Sequence, residues 1–413
     1  MLSYIEARNL IISSLNTLEA INLPISESLH HTLAEPVIAP FEMPLFDNSA
    51  VDGYGVLVND LINADLNNPI ELKLIGSLEA GTKNFDAQPQ IKLGECVKIL
   101  TGAPVPPGVE AVIMKEYSAF EKRTDIGLFF KSVSKGENIR KRGEELKKGD
   151  RVIPANSRIN APVVGVLASL GYANFKVIKQ PRIAILTTGD ELIEPGQNLA
   201  RNQIFNSNSY AIEAACKSLG LSQIIKLHCN DTREDTIEKM TQAIEFADVI
   251  ICTGGVSVGD RDLVKPVLEE DFKVETILWR IAIKPGKPVF FARKNEKYFF
   301  GLPGNPVSAL VTFHLFVKPA LMKLQGIAPC DPAQNRAILN KKIKKRAGRM
   351  EFVRGIQKRT KDDNLMVEPT RGQESHMLSG LAAADCLIHF DLEDEILDEN
   401  TQVEIQKLDW QNY

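Results

Sequence analysis

ADVIICTGGVSVGDRD, residues 247–262, decides how this chain folds. Val249–Cys252 form a continuous apolar run that empties into glycines, the mark of a strand buried on both faces in a helix-covered parallel sheet. Gly254, Gly255 and Gly259 permit the positive φ that lets successive backbone N–H groups converge on an anion, and Thr253 and Ser257 add hydroxyl donors. The stretch lacks the GK[ST] ending of a P-loop, and it closes on Asp260 and Asp262, which repel an anion. Taken alone, it reads equally well as a strand-to-helix turn whose aspartates cap a helix.

Working outward, RIAILTT (182–188) and IIKLHC (224–229) read as further buried strands. The helix pattern NSNSYAIEAACKSLG (206–220) separates these two strands, and TREDTIEKMTQAIEFA (232–247) separates IIKLHC from the glycine-ended strand. The stretches VETILWRI, PVFFARK and KYFFGLP continue the sheet, and a long helix is predicted from about 306 to 324. Such alternation predicts a central parallel or mixed sheet in three α/β layers, with ligands outside the carboxyl ends of the strands. On either side the texture differs. Ser3 and Glu6 form a capping box before an N-terminal helix, and Asn160 opens another that stops at Gly171. Residues 43–139 alternate short β-rich runs with Gly/Pro turns, which predicts an inserted β-rich lid. The expected organisation is therefore a helical/linker domain over 1–42 and 140–180, the lid over 43–139, the α/β domain over 181–327 and a small C-terminal β domain over 328–413. KKIKKRAGR (341–349) reads as a solvated strand face.

The 413 residues are too many for one core, and the apolar (44%) and charged (25%) fractions are those of a soluble protein. A net charge of −4 argues against nucleic-acid binding, and no run approaches a bilayer span, so a cytoplasmic location without membrane is expected. Six scattered cysteines with no CxxC pair, and histidines without HxxxH spacing, suit neither zinc nor a disulfide framework.

The strand ends concentrate acids. TTGDEL carries Asp190 and Glu191, CND carries Asp231, and the glycine stretch carries Asp260 and Asp262. Like charges gathered without partners raise one another's pKa, and a hard divalent cation such as Mg²⁺, bridging to phosphates, relieves this. KPGKP (284–288) presents Lys284 and Lys287 from a proline-stiffened turn, suited to a compact dianion or a phosphate. GLPGNPVSAL (301–310) makes a second glycine turn into a helix whose free N–H groups face an anion. Pro303, Gly304, Asn305 and Ser308 are its expected ligand-facing positions. In the lid, PLFDNSAVDGYGV, LTGAPVPPG and IRKRGEEL have polar tips that read as loops.

This ordered set, FDNSAVDGYGV, LTGAPVP, IRKRGEE, TTGDEL, FNSNS, GGVSVGDRD, IKPGKP and GLPGNPVS, resembles the molybdopterin molybdenumtransferase family (MoeA and the gephyrin E domain) over essentially the whole chain. EFVRG and SHMLSGLAAADCLI resemble that family's last domain, and the central domain is similar to MogA. The resemblance implies insertion of molybdate into adenylated molybdopterin with release of AMP, aided by Mg²⁺. It places the important acids on Asp52, Glu191, Asp231 and Asp262, joined by Thr101, with Glu191, Asp231 and Asp262 as metal ligands. Lys284 and Lys287 match its anion-binding lysines, and Arg354 and Ser375 are looser matches for molybdate contacts. Glu145 stands where the family usually has Asp. The resemblance also implies a homodimer with the active site between subunits. Expected partners are the preceding adenylyltransferase and the proteins that mature molybdoenzymes. Two other readings stand beside it: the adenylyltransferase itself, which shares the sheet and a TGG loop, and a pterin-binding carrier or scaffold without catalysis.

Overall fold

The computed structural model describes residues 1–81, 90–120, 124–255, 262–328, 334–408 and 410. The chain divides into two compact units, Met1–Glu35 with Ala155–Ala168 and Tyr172–Tyr413, and Pro36–Pro154 with Ser169–Gly171.

The first unit is built on six strands: β1 (Ile183–Thr188), β2 (Ile224–Cys229), β3 (Val249–Thr253), β4 (Glu275–Trp279), β5 (Phe290–Lys294) and β6 (Lys297–Leu302). They lie in the order β2-β1-β3-β6-β5-β4. The first four are parallel, and β5 runs antiparallel to both neighbours. Period-two alternation makes two cores from one sheet. Ile183, Ile185, Val249 and Ile251 join one apolar cluster, while Ala184, Leu186, Ile250 and Cys252 join another. Helices α1 (Ser207–Ser218) and α4 (Pro306–Thr312) cover the first face; α2 (Arg233–Phe246) and α3 (Val264–Glu270) cover the second. Helix α4 continues through a π-helical turn, Phe313–Val317, into Lys318–Leu324. By length and composition Pro306–Leu324 is the one described helix apolar enough to cross a bilayer, yet 78% of its apolar window is buried in the protein. Apolarity on every side is what a core helix requires.

Register aligns the strand ends. Thr188 sits opposite Cys229, Thr187 opposite Thr253, and Thr253 opposite Leu302. The chain passes from β1 to β2 on one side, then crosses to β3 on the other. That reversal opens a crevice between β1 and β3, the place where α/β sheets bind ligands.

Five later strands close into a barrel: β7 (Gln334–Leu339), β8 (Met350–Arg359), β9 (Leu365–Pro369), β10 (Cys386–Phe390) and β11 (Gln402–Lys407). Their order is β8-β9-β7-β11-β10, and a β8–β10 pairing completes the ring. Val353, Val367, Ile388 and Ile405 fill it. Ile283–Lys284 pairs with Met350–Glu351, so the KPGKP turn leaves the barrel edge directly.

The second unit carries a six-stranded sheet around Val56, Leu72, Cys96, Ile113 and Phe129. A Cβ on Gly53 would lie 2.0 Å from the Ile113 carbonyl oxygen, so only glycine fits between Asp52 and Tyr54. Its chain limits are drawn together by pairing of Val37–Ile38 with Arg151–Ile153.

Candidate functional site

At the carboxyl end of β1 the backbone turns sharply at Gly189 (φ 140), and the Glu191 carboxylate folds back over it. A Cβ on Gly189 would lie 2.7 Å from Glu191 Oε2, so glycine is what admits this approach. Beside it, the Asp231 N–H donates to Asp190 Oδ1 at 3.0 Å, joining the ends of β1 and β2. Across the crevice, Gly254 (φ 83) and Gly255 (φ 65) follow the buried Thr253. Side chains there would strike Thr188 Oγ1 and Val264 at 2.7 and 2.8 Å. Gly304 packs against Gly254, and the Gly254 N–H donates to Leu302 O at 3.3 Å. Ser257, Gly259 and Asp260 lie outside the described residues. Asp262 stands half-buried just before α3.

The Gly304 loop also meets the barrel. Asn305 Nδ2 donates to Ser375 Oγ at 2.9 Å, and the Val307 N–H donates to the Ser375 carbonyl at 3.2 Å. Pro306 has no N–H, so part of the helix start expected to face an anion is occupied by Ser375 instead. Pro303 is buried behind this loop.

Arg354 holds the Ser375 loop from beneath. It is 2% exposed, and its guanidinium donates to the carbonyls of Gly372, Glu374 and Met377 and to Gln373 Oε1. Burial lowers its pKa from the ordinary arginine value. Arg354 therefore positions the loop, whereas the sequence reading had it as a looser molybdate contact.

Between this loop and the KPGKP turn lies a cleft of ≈ 440 Å³ lined by Lys284, Lys287, Ser308, Lys344, Arg349, Glu351, Glu374 and Ser375. Four cations against two carboxylates leave an excess of two positive charges. Lys284 Nζ pairs with Glu351 Oε1 at 3.2 Å while staying half exposed. The turn is clamped to α4, because a Cβ on Gly286 would lie 2.2 Å from Thr312 Cγ2. Lys344 and Arg349 are exposed, as the reading of KKIKKRAGR as a solvated face expects, and they also line the cleft. Only the chain's return past the short Ile343–Lys344 strand brings these two to the cleft, and no periodicity signals that.

In the second unit Asp52 and Thr101 meet. Asp52 Oδ1 accepts from Thr101 N at 2.9 Å and from Thr101 Oγ1 at 2.7 Å, and Lys115 Nζ lies 3.5 Å from Oδ2. The Thr101 hydrogen bonds hold the Asp52 carboxyl below its usual pKa. Glu145 is exposed, its backbone N–H donating to Met43 O.

Among the described residues no three His, Cys, Asp or Glu side chains are placed together to hold a metal ion. Glu191, Asp231 and Asp262 are therefore not a preformed cage. Oxygen-only donors at adjoining strand ends still fit Mg²⁺, which takes one or two carboxylates plus substrate phosphates. The described cysteines are buried, and burial pushes the Cys229 thiol up to about 11 and Cys96 to about 12.

The fold is thus an α/β sheet with a switch-point crevice, joined to a cation-lined cleft on a closed barrel. Residues 2–171 match the MoeA N-terminal region (domain I and II), 184–323 a probable molybdopterin binding domain, and 336–408 the MoeA C-terminal region (domain IV). The chain is 37% identical over 369 residues to the molybdopterin molybdenumtransferase of Haemophilus influenzae, covering 89% of this chain and 88% of that protein. It is 35% identical over 383 residues to that of Staphylococcus aureus, covering 93% and 90%. The solved molybdopterin biosynthesis moeA protein of Pyrococcus horikoshii superimposes with a TM-score of 0.77 at 28% identity, covering 99% of this chain and all of that one. The chain belongs to the molybdopterin molybdenumtransferase family.

Proposed function

We propose that this protein is the transferase that inserts molybdate into adenylated molybdopterin, releasing AMP and giving the molybdenum cofactor. The observation that carries this reading is the cleft shared by Lys284, Lys287, Lys344 and Arg349, whose excess of two positive charges suits a compact dianion. It adjoins the crevice through Ser375 and Asn305, so an oxyanion in the cleft and a phosphate-bearing pterin in the crevice lie on two sides of one loop. The pterin's own sulfurs take the molybdenum, and the cysteines among the described residues are buried, none of them lining the cleft.

The glycine turn at Gly254 and Gly255, with Thr253 behind it, receives the phosphoanhydride through the Gly255 amide, the Gly254 N–H being taken by Leu302 O, and Lys284 and Lys287 offset the oxyanion's charge. Donors fixed before the reaction need no reorganisation as charge develops on the departing AMP. Glu191, Asp231 and Asp262 are the residues that would hold Mg²⁺. When bound, Mg²⁺ polarises a phosphoryl oxygen and stabilises the leaving phosphate. The ionised Asp52, oriented by Thr101, completes the machinery in a homodimer, acting at the partner chain's crevice. A cytoplasmic location and hand-over from an adenylyltransferase to molybdoenzyme maturation proteins belong to the same proposal.

The matches at both ends of the chain, 2–171 and 336–408, favour this reading over the adenylyltransferase. A nucleotide assay separates them. The transferase releases AMP from adenylated molybdopterin when molybdate is present, the adenylyltransferase consumes ATP, and a carrier binds pterin with no turnover.

A further inference from the structure

We infer that Asn206, the N-cap of α1, and Asn208, in its first turn, are positioning residues that hold the acid wall and the anion wall of the crevice together; the inference rests on the transferase reading. Asn206 is 3% exposed and works in both directions. Its Oδ1 accepts from Ser209 N at 3.2 Å, capping the helix, while Nδ2 donates to Thr187 Oγ1 at 3.0 Å and Glu194 Oε1 at 3.3 Å. Glu194 is fixed further by Tyr210 Oη–H at 2.7 Å. The backbone N–H groups of Ile204 and Asn206 donate to the carbonyls of Glu191 and Ile193 at 2.9 and 2.8 Å. The segment carrying Asp190 and Glu191 is thus tied to the start of α1.

Asn208 reaches the opposite wall, where its Nδ2 donates to Gly304 O at 2.7 Å. Asn206 is the N-cap of α1 and Asn208 its second residue, so one helix start grips loops on two sides. Through Gly304 the tether reaches Asn305 and so Ser375. Capping alone does not need this chemistry. Asp, Ser or Thr would cap α1 as well as Asn. Only an amide accepts from Ser209 while donating to Thr187 and Glu194.

The test exploits that difference. Asn206→Asp keeps the cap but loses both donors, and Asn206→Asp with Glu194→Gln restores the bond in reverse, from Gln Nε2 to the aspartate. Amide hydrogen exchange over 189–194 and the kinetics of AMP release are followed in both. The expected result for Asn206→Asp is faster exchange over 189–194 and a kcat lower by about 10–100-fold at little changed KM, with recovery in the double variant. Asn208→Ala raises KM for the adenylated pterin about tenfold, the effect of one lost hydrogen bond. Wild-type exchange and kcat in Asn206→Asp would overturn the inference, as would a double variant that recovers exchange without recovering kcat. If the wild-type protein releases no AMP, the transferase reading fails, and the exchange data alone then decide whether Asn206 holds the acid loop.

Discussion

Asn305 and Ser375, 70 residues apart in sequence, are joined by a 2.9 Å hydrogen bond from Nδ2 to Oγ. That bond makes the barrel loop one wall of both the cleft and the crevice, and it separates two roles. Ser375→Ala is expected to raise KM for molybdate about tenfold while changing stability by no more than ~0.5 kcal/mol. Arg354→Ala, in contrast, removes a buried guanidinium that donates to the carbonyls of Gly372, Glu374 and Met377, and is expected to cost about 2–4 kcal/mol. Urea denaturation beside a molybdate titration distinguishes them. A stable Arg354→Ala with a pure KM defect would show that Arg354 contacts the oxyanion directly.

Charge in the cleft is expected to act in both directions. Lys287→Gln weakens binding of molybdate about tenfold, and Glu351→Gln strengthens it about two- to threefold by releasing Lys284 from a half-exposed pair of small intrinsic worth. Both effects shrink as salt rises. Calorimetric titration at two ionic strengths measures them, and equal affinities in all three proteins would remove the cleft from the account.

The Asp52 carboxyl owes its lowered pKa first to Thr101. Because the folded value lies below the unfolded one, near 3.9, the pair stabilises the fold above that pH and loses its effect as pH falls through the folded value. Thr101→Val keeps the backbone donor and loses the hydroxyl, so the carboxyl pKa rises part of the way back. The acid limb of the pH–activity profile should move to higher pH; an unmoved limb would mean that Asp52 ionisation does not limit the reaction.

The proposed homodimer, with Asp52 acting at the partner chain's crevice, predicts complementation. Asp52→Asn and Asp262→Asn chains, each inactive alone, should recover activity when co-refolded, at about a quarter of the wild-type sites if chains pair at random in a symmetric dimer. No recovery would place both acids at the site of one chain.

Much of this was legible because buried strands announce themselves. The alternation Ile183/Ala184/Ile185/Leu186 faces two helical layers at once, and only an all-apolar run satisfies both. Strand ends followed by Gly189 and Gly254 were equally readable, since left-handed backbone favours glycine. Side-chain destinations were not. Nothing in EFVRG tells that Arg354 turns inward to loop carbonyls, or that Arg349, five residues earlier, turns to the cleft. FNSNS was visible as a helix start, but the second hydrogen-bonding duty of Asn206 depends on where Glu194 returns in space. The ends of the second unit rest on two- and three-residue strands, Val37–Ile38 and Arg151–Ile153, too short to carry a periodic signal.

The most direct test mixes the purified protein with adenylated molybdopterin, Mg²⁺ and molybdate, and follows AMP together with activation of an apo-molybdoenzyme. The account predicts AMP release coupled to a transferable molybdenum cofactor, both abolished by Asp262→Asn. Folded protein and verified substrate giving neither AMP nor activation would contradict it.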